Sequence, residues 1–529
     1  MSARDRLYLY DTTLRDGAQT PGIDFSVEDK IQVARLIDEL GVDYLEGGYP
    51  GANPTDDEFF AEKRTRRATF TAFGMTRRPG VSIDNDPGVR ALVGAATDAV
   101  TFVAKTWDYH VEVALGTTGE ENLASIRQSV EAARAAEREV LVDCEHFFDG
   151  YKANPDYALA CAAAAFEAGA RWVVLCDTNG GAQPDEVAAI VRAVSAVVPG
   201  DHLGIHAHDD TGQAVANSLA AVLAGARQIQ GTLNGIGERC GNANLTTLIP
   251  TLKLKPLYAD RFETGVSAEA LATLTTISRA FDEILNRAPS RHAPYVGSSA
   301  FATKAGIHAS AILKDPRTYE HVPPESVGNR RRVLVSDQAG KSNLVAELDR
   351  LGVTVDKADR RLDGLLAEVK DREARGFAYE AADASFELLA RRHLGGVPDY
   401  FQVKSYRTSV ERRFNANGDM VVVSEAVVKV LVDGELLMSV AEGNGPVNAL
   451  DQALRKDLGK YQAEIESLEL VDYKVRILNG GTGAVTRVLI ESLDRRTARR
   501  WSTIGVSENI VDASFQALID SITYKLMKG

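Results

Sequence analysis

Arg15-Asp16-Gly17, close behind the apolar run Leu7-Tyr-Leu-Tyr10, puts a fixed cation, a hard oxygen ligand and a flexible turn at the end of a short buried strand. The Arg15 guanidinium is shaped to fork onto a carboxylate or an enolate oxygen, and the Asp16 carboxylate to hold a divalent metal. Gly17 permits a sharp exit toward the next helix. An Arg-Asp pair in such a place also reads as a local ion pair, so its meaning depends on what joins it. His206 and His208 supply the second half. Period two sends both rings to one face of a strand, where each can give a nitrogen to an ion; the alternative is a satisfied polar pair. Asn242 offers an amide oxygen from a later loop. Two imidazoles with hard oxygens and open positions suit Mn, Mg or Zn, acting as a Lewis acid on a carbonyl.

Bringing these residues together takes a closed parallel sheet. After the first strand, candidates run over residues 44–48, 69–73, 99–104, 140–144, 172–176, 203–206 and 228–232. Alanine-rich amphipathic helices lie between most of them, such as 121–138 and 156–168, and Ser26 is placed to cap a helix that ends at Leu40. Eight strands at spacings of roughly 25 to 40 residues, each followed by a helix, predict an α/β chain with a (β/α)8 TIM barrel. A doubly wound open sheet is the runner-up, but no Gly-x-Gly-x-x-Gly follows the first strand. A barrel places its chemistry at the C-terminal strand ends. Polar residues collect there: Arg15 and Asp16 after strand one, Glu145 and His146 after five, Thr178 after six, His206 and His208 at seven, Asn242 after eight.

Composition narrows the class. The 529 residues carry a net charge of -14, which argues against a general binder of nucleic acid or anionic membranes. Arg330-Arg331-Arg332 breaks that trend locally, as a solvated surface or a phosphate contact. Hydrophobic content of 45% and charged content of 25% are ordinary for a globular protein. The four cysteines, Cys144, Cys161, Cys176 and Cys240, show no Cys-x-x-Cys spacing and are expected as reduced thiols. Neither a signal peptide nor a run of membrane-spanning length is visible, so a cytoplasmic protein is expected.

Two stretches resemble a known family. Leu14-Arg-Asp-Gly-x-Gln19 followed by Lys30 resembles the first signature of the α-isopropylmalate, homocitrate and citramalate synthases. Leu203-x-x-His206-x-His208-Asp-Asp-x-Gly212-x-Ala214-x-Ala216 resembles their second. The stretches 143–152, 176–181 and 318–324 are most similar to the citramalate branch. The resemblance covers nearly the whole chain. It implies a Claisen-type condensation of acetyl-CoA with a 2-oxo acid, pyruvate in that branch. It also implies a metal on Asp16, His206, His208 and Asn242, Arg15 at the developing alkoxide, and Thr178 on the pyruvate carboxylate. His308, oriented or assisted by Glu145, would take the acetyl proton, and His308 and Tyr319 would act near a partner subunit's barrel in a homodimer. His308 packing in a helix and Glu145 merely orienting a neighbour remain the plainer readings. The linker of this family approaches coenzyme A, which gives the arginine cluster a phosphate to meet.

The division expected is a catalytic barrel over 1–285, linker subdomains over 286–394 and an allosteric, dimerising α+β domain over 395–529. The pattern is helical from roughly 260 to 286 and over 353–393, including 362–370 and 379–389, and strands are then expected over 400–414, 420–432, 470–477 and 484–491 with helices over 445–458 and 510–526. Residues 479–483, Asn-Gly-Gly-Thr-Gly, read as an effector loop or a plain turn. The resemblance makes isoleucine the expected effector, leucine in the isopropylmalate branch. The rival functions are 2-isopropylmalate synthase, a hydroxymethylglutaryl-CoA lyase of the same superfamily, and a non-catalytic amino-acid sensor.

Overall fold

A computed structural model describes residues 4–287, 289–304, 306–333, 341–379, 382–414, 416–478 and 484–529. The chain divides into two compact units, Met1–Phe301 with His321–Arg331, and Ala302–Glu320 with Arg332–Gly529.

The first unit is the predicted barrel. Its strands are β1 (Tyr8–Asp11), β2 (Tyr44–Glu46), β3 (Thr69–Met75), β4 (Ala99–Lys105), β5 (Glu139–Glu145), β6 (Trp172–Asp177), β7 (Leu203–Ala207) and β8 (Gln228–Gly231). All neighbours are parallel, and β8 returns to β1 through Tyr8↔Gln228 and Asp11↔Gly231, which closes the sheet. The first helix, Val27–Leu40, begins where the sequence places it. Ser26 accepts from the Asp29 N–H while Asp29 accepts from the Ser26 N–H, a reciprocal capping box. Leu9, Leu45, Phe70, Phe102, Val173 and Ile205 bury themselves between strands and helices. Tyr10, Tyr44, Leu141, Trp172 and Val174 fill the lumen, so the barrel is a packed core and not a pore. The segment expected as wholly helical after Asp260 begins instead with Phe262–Glu263, a short strand beside Asp5–Arg6.

The second unit opens with a short strand, Ala302–Thr303, parallel to Arg332–Val333, and its helices are Gly306–Lys314, Lys341–Arg350, Arg361–Ala374 and Asp383–Leu394. Leu344, Leu348, Leu362, Leu365, Val369, Phe386 and Leu389 form the common core of the last three. Helix 379–389 of the sequence reading begins later, at Asp383. Two three-stranded antiparallel sheets follow: β9 (Gln402–Phe414), β10 (Met420–Val432) and β11 (Glu435–Gly443), then β12 (Leu468–Ile477), β13 (Thr486–Asp494) and β14 (Arg499–Ser507). Helices Pro446–Lys456 and Ile510–Lys528 bury Leu450, Leu454, Leu518 and Ile522 against Val428, Val430, Val488 and Ile490. β11 and β14 were not expected from the sequence. The proposed loop over 479–483 lies outside the described residues. Among those described, no helix is long and apolar enough to cross a membrane.

Candidate metal centre and active site

The turn after β1 is wound tightly: the Thr12 carbonyl accepts from the N–H groups of Arg15, Asp16 and Gly17 at 3.2, 2.9 and 3.1 Å. This swings Arg15 and Asp16 over the C-terminal mouth of the barrel. β7 delivers His206 to the same place, and His208 follows one residue past its end. Asp16 Oδ2 lies 3.0 Å from His206 Nε2 and 3.8 Å from His208 Nε2, and the two Nε2 atoms are 3.3 Å apart. Among the described residues, these are the one group of three His, Cys, Asp or Glu side chains whose donor atoms lie within 4.8 Å of one another.

The polar atoms left over fit an ion. Asp16 Oδ1 and Asn242 Oδ1 are buried without a hydrogen-bond partner, a state that is costly unless something accepts their lone pairs. Asn242 pairs with the His208 backbone across an isolated bridge, and its amide NH2 donates to the Ile236 carbonyl at 3.4 Å. The loop can curl this closely only with glycine at 237 and 241; a Cβ there would stand 2.1 Å from Asn242 Nδ2 and 2.0 Å from the Gly235 carbonyl oxygen. Burial alone would raise the Asp16 carboxyl, but Arg15 and the two imidazoles outweigh it and hold it well below the usual carboxylate range. Burial, with His206 alongside, pushes the His208 imidazole down to about 4, the neutral form a metal needs. For His206 burial also works downward, but its bond to Asp16 prevails and raises it.

Arg15 is held by Glu46, a residue without a motif of its own in the sequence. Its Nε donates to Glu46 Oε2 at 2.7 Å, one terminal nitrogen lies 3.2 Å from Asp16, and its guanidinium lies over the Phe73 ring at 3.9 Å. Glu46 is wholly buried on β2, and also accepts from Tyr10 at 2.6 Å and from the Thr12 hydroxyl. Removing that carboxylate would leave Arg15 buried beside fewer anions. Glu46→Ala is therefore expected to lower unfolding stability by about 3–5 kcal/mol, read as a shift in the guanidinium midpoint; an unmoved midpoint would deny the pair this role. A cavity of about 430 Å³ opens beside Arg15, lined by Gln19, Phe25, Lys30, Tyr49 and Phe73 among others.

The remaining predicted residues divide between the two units. Glu145, last in β5, pairs with Lys105 across the neighbouring strand end. Thr178 Oγ1 accepts from the His146 N–H at 2.8 Å, and its carbonyl takes a 2.7 Å bond from Arg239, which also forks onto Asp210. His146 holds φ 52°, in the left-handed region that non-glycine residues adopt mainly under constraint. His308 and Tyr319 belong to the second unit, where both are exposed and their ring centroids lie 4.3 Å apart. Cys144, Cys161 and Cys176 are buried and free, and Cys240 is exposed and free.

A closed parallel barrel with a carboxylate and two imidazoles converging at its C-terminal face, flanked by a half-buried arginine, is the architecture of a barrel enzyme with a triad able to hold a metal. Comparison with known proteins gives the same class. The HMGL-like family matches residues 6–277, the homocitrate synthase post-HMGL domain-like family residues 295–376, and the LeuA allosteric (dimerisation) domain residues 380–526. The (R)-citramalate synthase of Aquifex aeolicus is 50% identical over 99% of this chain and 98% of its own length. That of Streptomyces coelicolor is 50% identical over 99% and 97%. A 2-isopropylmalate synthase of Solidesulfovibrio magneticus is 32% identical over 99% and 97%. The chain belongs to the HMGL-like, LeuA/homocitrate synthase family of acyl-transferring enzymes, and within it to the group of the (R)-citramalate synthases.

Proposed function

We propose that the chain condenses acetyl-CoA with pyruvate and water to give (R)-citramalate and CoA. The observation that carries this reading is the convergence of Asp16, His206 and His208 beside Arg15, in a chain similar from end to end to (R)-citramalate synthases. Asp16, His206, His208 and Asn242 would hold a divalent ion, which would supply Lewis-acid polarisation of the 2-oxo acid's carbonyl. Arg15 offers a fixed positive charge to the oxygen that becomes an alkoxide as the ketone is attacked. The bond Thr178 accepts from His146 engages a lone pair and not the hydroxyl proton, so that proton is available to the pyruvate carboxylate. The acetyl methyl proton needs a base, for which His308, assisted by Glu145, is the candidate that the family resemblance implies. Hydrolysis of the citramalyl thioester then drives the sequence forward.

The second unit is assigned to regulation and dimerisation. Leu436, Met438 and Val440 stand on the face of β11 turned away from its helix and are exposed. Apolar surface of this kind favours cover by a second copy of the chain. Isoleucine is the proposed effector, as the product to which citramalate leads.

Thiol release from acetyl-CoA in the presence of Mn2+, compared for pyruvate and 2-oxoisovalerate, tests the reading. A preference for pyruvate of at least about tenfold in kcat/KM is expected, the discrimination that two extra methyl groups in a fitted pocket produce, with release slowed by isoleucine. A preference for 2-oxoisovalerate would move the activity to 2-isopropylmalate synthesis.

A further inference from the structure

Behind the ligand edge, the barrel lumen carries a buried polar chain of which the proposed reaction uses only the first member, His206. His206 Nδ1 lies 2.7 Å from Gln230 Oε1, and Gln230 Nε2 donates to Asp143 Oδ1 at 2.9 Å. The three side chains come from β7, β8 and β5 and are 4%, 0% and 3% exposed. The layer just below them is apolar and aromatic, with Leu141 two residues before Asp143 on the same face of β5. Polar groups persist at this depth only when they satisfy one another, and an apolar trio of like volume would pack as well. Their order along the chain is therefore informative. An amide oxygen can only accept, so it requires the imidazole proton on Nδ1 and leaves the Nε2 lone pair for the ion. Nε2 is the atom that lies 3.0 Å from Asp16 and 3.3 Å from His208. A glutamine amide can turn over and offer its NH2 instead, which would face the imidazole N–H with another donor. Asp143 opposes that turn by accepting from the NH2.

We propose that Gln230 and Asp143 are positioning residues for the metal site: Gln230 holds His206 in the tautomer and orientation that aim Nε2 at the ion, and Asp143 locks the Gln230 amide the right way round. This rests on the reading of Asp16, His206 and His208 as ligands.

The test is a calorimetric titration of the metal-stripped full-length chain with Mn2+, alongside thermal unfolding of the stripped protein. Gln230→Leu is expected to weaken Mn2+ binding by about 10- to 100-fold, the usual cost of losing a group that orients a ligating histidine. Gln230→Glu, which keeps an acceptor for the Nδ1 proton, is expected to recover most of that loss. Asp143→Leu should weaken binding by a smaller factor, about tenfold, and Asp143→Asn should restore it. A role in packing alone would shift the unfolding of the stripped protein and leave Mn2+ affinity as in the parent, and that result in Gln230→Leu overturns the proposal. If Gln230→Leu does not fold, the Asp143→Leu and Asp143→Asn pair decides it: equal, parent-like affinities overturn it. His206→Ala, titrated in parallel, separates the two levels. Retained stoichiometric binding there removes the ligand assignment itself, whereas lost binding there beside parent-like affinity in Gln230→Leu removes only the positioning role.

Discussion

His206→Ala is expected to leave the purified chain with far less bound metal than the parent and to depress thiol release by at least about 10³-fold. Of the three proposed ligands, His206 is the one that the fold commits most deeply. It sits inside β7 and not on a loop, it is 4% exposed, and its Nε2 faces Asp16 while Nδ1 is engaged by Gln230. Alanine removes the donor nitrogen and puts nothing in its place. A group that merely orients a ligating histidine is worth about 10- to 100-fold in affinity, and a ligand is worth more. The turnover follows, because polarisation of a carbonyl by an ion contributes several kcal/mol to the barrier, and each 1.4 kcal/mol is about tenfold in rate. The strand need not suffer. The β7 ladder runs through backbone bonds to β6 and β8, which alanine preserves. Elemental analysis after dialysis reads the first effect and thiol release the second. Stoichiometric metal in His206→Ala would take it out of the ligand set, and full turnover without metal would remove the Lewis acid from the reaction.

The sequence made this site legible through strand-end residues that local chemistry marks on its own. Asp16 precedes a glycine after an apolar strand, and His206 and His208 share a face by period two. No knowledge of cross-barrel distances is needed to pair them once eight strands are counted. Glu46, Asp143 and Gln230 escaped because their partners lie on other strands, next door for Glu46 and across the lumen for the Asp143–Gln230 pair, in a geometry that shear and strand tilt decide. A partial signal was present. Tyr44 and Glu46 fall on one face of β2, and Gln228 and Gln230 on one face of β8, so charge and amides in the lumen were readable as groups in need of partners. Which partners they find was not.

The second unit shows the same division. β10 opens on the apolar run Met420–Val423, alternates in burial from Ser424 to Val432, and has the bounds expected of it, residues 420 and 432. β11 follows it through Asp433 and Gly434, with φ of 50° and 86°, a two-residue hairpin turn of the Asp-Gly kind. That dipeptide between two apolar runs was an available signal for the missed strand. β14 gave less warning. It begins in Arg499-Arg500 after a run of charged and small residues, and its buried residues, Trp501, Thr503, Ile504 and Gly505, follow no strict alternation. A half-buried strand with a charged entry is hard to tell from a loop without its neighbour β13.

Arg15→Lys is expected to lower kcat by about 10²–10³-fold while bound metal stays at the parent's level, and the combination is what distinguishes Arg15 from the ligands beside it. Charge is conserved in this change, so an effect of that size must come from shape. The guanidinium uses Nε on Glu46 at 2.7 Å, brings a terminal nitrogen 3.2 Å from Asp16, and lies over Phe73, which fixes its plane at the barrel mouth. A lysine ammonium is a single point at the end of a flexible stem, without the planar fork that meets two carboxylates and a substrate oxygen together. It would settle on Glu46 or Asp16, and the place where alkoxide charge develops would lose its preorganised donor. Removal of one such donor costs about 10²–10³ in kcat. Metal content is untouched on this argument because Asp16, His206 and His208 keep their donor atoms. The measurement is thiol release at saturating pyruvate and Mn2+, with metal analysis of the same sample. If Arg15→Lys turned over at the parent's rate, Arg15 would be an ion-pair partner of Glu46 and nothing more, and Glu46→Ala should then be matched by a stability loss in Arg15→Ala. If instead metal were lost along with turnover, the 3.2 Å contact to Asp16 would be shown to hold the ligand in place, and the role of Arg15 would move from the substrate to the site that binds it.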